Sequence, residues 1–401
     1  MKEPLSDSKS PVRNLISEAG NRTPVVRRAE IDLALVGAAA FFLYLGFGIY
    51  LATFNNFAVQ VIHMRPDQLG VLESLRESPG LAMAFVLAAA MHIAEPVLGS
   101  GALVLIALGL VGYSRTESFT PLVLYSMIWS VGLHCWMPLQ SAMTLSLASE
   151  GQKGRRLGQV GACAGLGTAL GIASVLMLRE SVPYSAWYLA ASIAVAVGAA
   201  VVWFVRRDLS PPDKPRLVFK RKYRLYYGLT FLEGCRKQVF ITFAIFALVR
   251  EYHAQLWVVA LLMLINNCVN LVGAPIVGRM IDRIGERRIL TVSYSALIFV
   301  FLGYALIRHA SVLYVLYCLD SLLYLSTIAL TTYLNKIADP RDIVPSLSMG
   351  VTMNHLAAVA VPVAGGLIWS AVGYRATFLA GAAVVVASLV LARRIGTRPE
   401  V

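Results

Sequence analysis

The chain is divided near its middle by the stretch RRDLSPPDKPRLVFKRKYR, residues 206–224, which carries eight basic residues and three prolines. Proline removes a backbone donor, and charged side chains are costly in hydrocarbon, so this stretch cannot cross a membrane. The chain on either side, 31–205 and 225–394, consists mostly of long apolar runs separated by short polar turns. The stretch is therefore predicted to connect two apolar halves.

Each half contains six runs long enough to cross a bilayer, since a transmembrane helix needs about 20 apolar residues. Segments such as 82–90 are apolar on every side, without the alternation of a transmembrane barrel. The fold class predicted is an all-α membrane protein of twelve transmembrane helices in two groups of six. The predicted helices cover residues 31–53, 68–92, 97–113, 120–148, 157–178, 185–205, 225–250, 256–279, 289–307, 312–334, 346–370 and 376–394.

Composition supports a membrane protein, because 58% of the 401 residues are hydrophobic and only 14% are charged. The sequence contains no P-loop, no HExxH and no GxSxG motif. We therefore predict that the protein is not an enzyme, that it needs no cofactor and that it is not driven by ATP.

The distribution of basic residues predicts the topology. If the N-terminus is cytoplasmic, 26 of the 35 Lys and Arg residues lie on cytoplasmic segments and 6 on the other side. This asymmetry predicts that both termini are cytoplasmic, in a multi-pass protein of the cytoplasmic or inner membrane. The net charge of +13 is thus a topology signal, and no nucleic-acid partner is expected.

The predicted organisation has five parts. The first thirty residues mix acidic and basic side chains, which fits neither a signal peptide nor a transit peptide. The parts are a cytoplasmic tail (1–30), an N-terminal six-helix bundle (31–205), a basic linker (206–224), a C-terminal six-helix bundle (225–394) and a short cytoplasmic tail (395–401).

A distinctive motif, GRMIDRIGERR, lies at 278–288 between predicted helices eight and nine. It resembles the GxxxDRxGRR loop of the major facilitator superfamily, and it stands where that family's C-terminal copy belongs. The six-plus-six layout resembles the same family. The resemblance implies two six-helix bundles, and it gives the motif a conformational role as a latch on the cytoplasmic side of the outward-open state. The residues concerned are Gly278, Asp282, Arg283, Gly285, Arg287 and Arg288.

Other stretches extend or limit this resemblance. PVAGG at 362–366 followed by GYRATF at 373–378 looks like the family's passage from helix eleven to helix twelve. The N-terminal copy of the loop motif, MHIAEPVLGSG at 91–101, has Glu95 in place of the aspartate and no arginine. Predicted helix five resembles the family's glycine-rich antiporter motif without its central proline, although close helix packing explains the same glycines. These glycines are Gly161, Gly165, Gly167 and Gly171.

Charged residues in predicted helix seven, LEGCRKQ at 232–238, are candidates for the substrate site. Glu233, Arg236 and Lys237 share one helix face. Arg236 lies about 16 Å from the cytoplasmic start of the helix, near the depth at which transporters bind substrate. Two adjacent cations suit a carboxylate or a phosphate.

Charges in predicted helix two, LESLRES at 72–78, have the same spacing. Glu77 lies about 13 Å deep from the other side, roughly level with the helix-seven cations. We predict that Glu73 or Glu77 pairs with Arg236 or Lys237 across the halves and closes the outer gate, with Arg76 in the same cluster. The alternative is that each cluster neutralises itself within its own helix.

Asp320 and His355 are predicted to be lone titratable groups near mid-depth, suited to proton coupling. Side chains that can form hydrogen bonds with a substrate add further candidates for the substrate site, namely Asn266, Asn267 and His134. Histidine, methionine and cysteine cluster near 63, 92 and 134–137, but neighbours on one helix diverge by about 100°, so no metal site is predicted from one segment alone.

We therefore predict an alternating-access secondary transporter for a small polar solute, anionic or zwitterionic, coupled to an ion that we take to be H⁺. The expected partners are this solute, the coupling ion and the lipid bilayer, and the expected state is a monomer. The direction of transport stays open. The alternatives are a transition-metal or drug exporter of the same fold, and a transport-inactive receptor or scaffold.

Overall fold

A computed structural model gives the fold and describes residues 24–90, 92–149, 151–178, 181–208 and 219–396. Most of the predicted N-terminal tail, the C-terminal tail from 397 and the centre of the basic linker, 209–218, lie outside the described residues. Within these residues the long elements are twelve helices, as predicted, and there is no strand. They are α1 (Pro24–Gln60), α2 (Pro66–Ala89), α3 (Glu95–Tyr113), α4 (Phe119–Ser146), α5 (Lys153–Leu178), α6 (Tyr184–Trp203), α7 (Arg224–Arg250), α8 (Leu256–Ile284), α9 (Glu286–Leu306), α10a (Ala310–Tyr324), its continuation α10b (Ile328–Ile337), α11 (Pro340–Val372) and α12 (Tyr374–Ala392).

Ten of the helices are long and apolar enough to cross a membrane by composition alone. The other two are α2 and α7. Any 18 consecutive residues of α2 include the three charged residues of LESLRES, and any 18 of α7 include the three of LEGCRKQ. They nevertheless pack among the other ten. Their charges are therefore held inside the protein, where charged groups of a membrane protein normally carry function.

Several helices differ from their predicted spans, and α8 runs to Ile284 where the predicted span ends at 279. α1 is longer at both ends, and helix ten is interrupted by a 3₁₀ turn at Leu325–Thr327. α11 begins at Pro340 and not at 346, because the Asp339 carboxylate accepts a hydrogen bond of 3.0 Å from the backbone N–H of Arg341 and proline suits the first helical position. The sequence contained this cap, but the hydropathy pattern did not mark it.

The first six helices pack around an aromatic core and the last six around another. In the first bundle the ring of Tyr50 lies 5.0 Å from Trp129 and 5.8 Å from Tyr113. In the second, Tyr304 lies 5.2 Å from Phe240 and 4.7 Å from Phe378. Because lipid tails are as apolar as leucine, such close packing, more than burial from water, holds membrane helices together.

Glycines at two turns allow abrupt changes of direction. Gly285 has φ of 82° and is the single residue between α8 and α9, and Gly373 has φ of 102° between α11 and α12. Side chains other than glycine rarely adopt these conformations. Both glycines belong to the motifs that resemble the family, so the motifs make the hairpins.

The end of the basic linker is fixed to α11. Lys220 Nζ lies 2.7 Å from both carboxylate oxygens of Asp342, and the hydroxyl of Tyr223 donates to the same carboxylate at 2.8 Å. Asp342 and Tyr223 are buried. The linker therefore ends in a defined attachment at the entry to the second bundle.

The bundles meet on one side of the molecule. We call the side with the start of α1 and the linker the basic face, and the other side the opposite face. Near the opposite face, Asn56 Nδ2 donates to the carbonyl of Ala254 at 2.9 Å, and Arg250 donates to the carbonyl of Met64 at 2.7 Å. The hydroxyl of Ser370 donates to Asp67 at 3.1 Å. These cross-bundle contacts close the opposite face.

Towards the basic face part of the surface of α5 is uncovered. On α5, Gly167 and Gly171 press against the backbone of α1, whereas Gly161 and Gly165 have open space where a side chain would project. Ile172 lies seven residues beyond Gly165, which places it on nearly the same helix face. It is only 2% exposed. The face is thus covered near the opposite end and uncovered near the basic end. We interpret this uncovered surface as a state of the molecule that is open to the basic face.

Candidate solute and ion-coupling site

The charged residues of α7 form a compact group with α10a. Arg236 is 1% exposed and is held between Glu233, one turn earlier, and Asp320. Its Nη1 donates to Asp320 Oδ1 at 3.0 Å and its Nε to Glu233 Oε2 at 3.3 Å, while Nη2 makes a further close contact to Glu233. We call these three residues the arginine cluster.

The two carboxylates of the arginine cluster are held unequally. Glu233 receives two contacts from the guanidinium, and Asp320 receives one. The side chain of Asp320 is also the more exposed, 11% against 6%. The cluster has one positive and two negative charges, and a surplus buried charge is costly. Asp320 is the member that can accept a proton while leaving the other pair intact.

Lys237 supplies a further cation beside the arginine cluster. It is partly exposed and makes no ion pair with any residue that the structure describes. Its Nζ lies 6.0 Å from the centre of the Tyr324 ring, and the guanidinium of Arg236 lies 5.6 Å from the same ring. Tyr324, which the sequence did not single out, thus marks the wall next to this ammonium. Tyr324 is the last residue of α10a, directly before the break in helix ten, which the hydropathy of the sequence does not mark.

Arg76 of α2 is neutralised in a different way. Its guanidinium pairs with Glu73 at 2.6 Å and lies 4.6 Å from the centre of the Trp129 ring and 5.4 Å from that of Tyr50. Arginine is stabilised over aromatic faces. The pair is therefore built into the aromatic core of the first bundle.

Glu77, one turn further along α2, reaches the other bundle. Its Oε2 lies 3.3 Å from Nδ1 of His355 on α11 and 3.8 Å from Nε2 of His134 on α4. The two imidazole centres are 5.4 Å apart, and both rings lie against Gly80. We call Glu77, His134 and His355 the histidine triad. It is where charged groups of the two bundles meet.

The predicted pairing between helix two and helix seven is therefore not present in this state. Arg236 is satisfied within its own bundle, and Glu73 is satisfied by Arg76. The cross-bundle partner of Glu77 is His355, so Asp320 and His355 are not lone groups either. Residue spacing showed which charges share a helix face, but it could not show which helix packs against that face.

The polar residues of α8 are less engaged. Asn266 and Asn267 are partly exposed, and the Oδ1 atom of Asn266 is buried without a hydrogen-bond partner among the described residues. An unsatisfied amide oxygen can accept a hydrogen bond from a solute. His134, the third neutral candidate, belongs to the histidine triad.

The latch motif is not engaged while the molecule is open to the basic face. Asp282, Arg283 and Arg288 are exposed, and Asp282 makes no ion pair with a described residue. Gly278 faces open space rather than a neighbouring helix. Glu286 pairs with Lys336 at 2.8 Å within the second bundle. This is compatible with a latch that forms only in the other state, which stays a prediction.

Two six-helix bundles that close at one face and open at the other, with charged residues between them, define a membrane transporter fold. The protein belongs to the Major Facilitator Superfamily, whose sequence profile matches residues 36–343 and 229–401. It is thus a multi-pass membrane transporter and not an enzyme, as the sequence predicted.

Solved transporters share this fold at low sequence identity. A mutant of the nucleoside transporter NupG is 12% identical with a TM-score of 0.77, and the match covers 91% of this chain and 99% of that one. A bacterial homologue of the human lysosomal transporter Spinster, inward-facing and occupied, is 12% identical with a TM-score of 0.73 over 97% and 98% of the two chains. No curated protein matches this chain. At such identities the likeness concerns the fold alone.

Proposed function

We propose that the protein is a proton-coupled secondary transporter of a small anionic or zwitterionic organic solute, and that Lys237 contacts the anionic group. The observation that supports this most directly is the position of Lys237, partly exposed next to the arginine cluster and without a carboxylate partner among the described residues. An ammonium at membrane depth that makes no direct contact with a carboxylate is available to an anionic group of a solute. A solute carboxylate or phosphate can make that contact.

Charge balance links the solute to a proton. The arginine cluster carries a net charge of −1 when both carboxylates are ionised, and Lys237 brings the site to zero. A proton on Asp320 leaves the site at +1, which an anionic group then neutralises. Proton and anion thus favour each other's binding, and this coupling is reciprocal.

The direction of opening follows from the charge distribution. The basic face carries the great majority of the Lys and Arg residues, so we assign it to the cytoplasm of a cell or inner membrane. The present state is then open to the cytoplasm, with the solute site accessible from inside. Either import or export can proceed from this state.

The first experiment is a thermal-shift screen of the purified protein against organic anions, amino acids, sugars, lipophilic cations and nucleosides. Nucleosides are included because NupG, which shares the fold, transports them. We expect an anion or zwitterion to stabilise the protein, since a ligand stabilises the state it binds. We expect Lys237→Ala to weaken its binding by about 10- to 100-fold, the range for a charge-assisted hydrogen bond.

The matched control is Lys153→Ala, because Lys153 is exposed at the start of α5 on the basic face. Binding should be unchanged in this variant. Stabilisation only by neutral nucleosides or lipophilic cations, with the same affinity in Lys237→Ala, would contradict the proposed solute class. Failure of the stabilising anion to move across liposomes containing only this protein would leave a receptor or scaffold as the function.

A further inference from the structure

Three donor atoms from three helices converge where the bundles meet. They are Oε2 of Glu77 on α2, Nε2 of His134 on α4 and Nδ1 of His355 on α11, and all lie within 4.8 Å of one another. The side chains are 29%, 11% and 25% exposed in that order, so a small ion can reach them. Two imidazoles and one carboxylate form a donor set that suits divalent Zn, Ni or Co.

The hydrogen bonds around His134 determine which of its nitrogens is free. Its Nδ1 lies 2.9 Å from the carbonyl oxygen of Ser130 and 3.1 Å from the hydroxyl of the same residue. That hydroxyl donates its only proton to the carbonyl of Arg76, so both neighbours of Nδ1 are acceptors. The proton of a neutral His134 is therefore on Nδ1.

The consequence is that the lone pair of Nε2 faces a carboxylate oxygen 3.8 Å away. Two acceptors that face each other at this distance leave a position that suits a cation, either a metal ion or a second proton on His134. Metal-binding histidines commonly donate their other N–H to a backbone carbonyl, which orients the ring. The carbonyl of Ser130 has that relation to His134.

The spacing also fits a metal ion. A four-coordinate ion with bonds of about 2.1 Å holds its donors about 3.4 Å apart. The two distances from Glu77 Oε2 are 3.3 Å and 3.8 Å. The two imidazole nitrogens are at most 4.8 Å apart and need to approach by little more than an ångström.

We propose that the histidine triad binds one divalent transition-metal ion of the Zn²⁺, Ni²⁺ or Co²⁺ class, and that the bound ion joins the two bundles. Glu77 and His134 belong to the first bundle and His355 to the second. The ion therefore stabilises the state in which the opposite face is closed. This binding needs neither the arginine cluster nor a particular solute, so it holds or fails separately from the proposed transport activity.

The test is a titration of protein purified without a histidine tag, using Zn²⁺ in calorimetry and Co²⁺ in visible absorption spectroscopy. We expect one saturable site in the wild-type protein. Affinity should fall at least about 100-fold in His134→Ala and in His355→Asn. It should fall at least about tenfold in Gly80→Ala, since a methyl group there would lie within 2.8 Å of both imidazole rings and push the donors apart.

The control variant is His309→Asn, because His309 is exposed before the first residue of α10a, where asparagine is well tolerated. Its affinity should equal that of the wild type. A wild-type protein without a saturable Co²⁺ spectrum would reduce the triad to an imidazolium–carboxylate pair. Equal binding in all variants would place the metal on surface histidines. Either result overturns the proposal.

The joining of the bundles is tested with spin labels at Glu117→Cys and Arg308→Cys in a cysteine-free background, one on each bundle at the exposed opposite face. Zn²⁺ should shift the inter-label distances to the shorter, closed population, and His355→Asn should remove this response. An unchanged distance distribution at metal saturation would overturn the joining role. So would net movement of the metal into proteoliposomes, because the ion would then be cargo.

Discussion

Asp320 and Glu233 share one guanidinium, and their unequal contacts make them inequivalent. Glu233 precedes Arg236 by one helical turn and holds it from within α7, whereas Asp320 reaches it from α10a through a single contact of 3.0 Å. A helix-internal pair persists while helices shift, but a contact between helices depends on their spacing. We therefore predict that a change of conformation alters protonation through Asp320.

The substitution Asp320→Asn should uncouple transport from protons. The amide would imitate the protonated carboxyl, so solute exchange should persist while accumulation driven by a pH gradient is lost. The measurement is uptake into proteoliposomes with and without an imposed gradient. Glu117→Gln, a change at an exposed residue of the opposite face, should leave both rates unaltered. Retention of gradient-driven accumulation in Asp320→Asn would assign coupling to another group.

At the scale of the helix, α5 combines two glycine surfaces with different environments. Gly167 and Gly171 pack against α1 in the present state, so part of the glycine-rich pattern reflects helix packing. Gly161 and Gly165 have no neighbour, which fits a surface that is covered only when the basic face closes. The glycines of this helix thus serve close packing at Gly167 and Gly171, and they leave room for motion at Gly161 and Gly165.

The change Gly161→Leu should trap the protein open to the basic face. The added side chain has space in the present state, but it would obstruct closure. We expect solute flux to fall at least about tenfold, with binding from the basic face retained, because only one of the two states is obstructed. Ala162→Leu, an exposed neighbour pointing about 100° away, is the control. Normal flux in Gly161→Leu would mean that this surface stays uncovered throughout the cycle.

Attachment of the linker to α11 can be tested at the same scale. Asp342→Asn removes the charge that Lys220 and Tyr223 contact. Because Lys220 is about half exposed and solvent screens the pair, we expect only a small loss of stability, seen as an apparent melting temperature lower by about 1–3 °C. Asp208→Asn, at an 81% exposed side chain, should have no effect. Equal melting temperatures for both variants would show that the attachment adds nothing to stability.

At the scale of the whole molecule, alternating access requires the opposite face to open when the basic face closes. The contacts between α2 and α11 must then separate, among them the hydrogen bond of 3.1 Å from Ser370 to Asp67. The closed face and the histidine triad lie along the same pair of helices, so a restraint at either place acts on one motion.

A covalent restraint across the opposite face should stop transport. The double variant Asp67→Cys, Ser370→Cys in a cysteine-free background should be bridged by oxidation or a short bis-thiol reagent. Flux should then fall at least about tenfold and recover on reduction, and each single variant should be insensitive to oxidation. Full flux in the cross-linked protein would argue that the two helices do not part during the cycle.

The sequence by itself determined the helix number, the division into two halves, the hairpin glycines and the residues that carry intramembrane charge. These follow from hydrophobic length, from proline and charge placement and from local backbone preference, each of which acts over a few residues. The tertiary structure alone decided that Arg236 pairs with Asp320, that Glu77 meets His134 and His355, and that Lys237 lacks a described counter-charge. Such pairings join residues far apart in the chain, and they depend on helix rotation and crossing, which packing sets and residue spacing does not record.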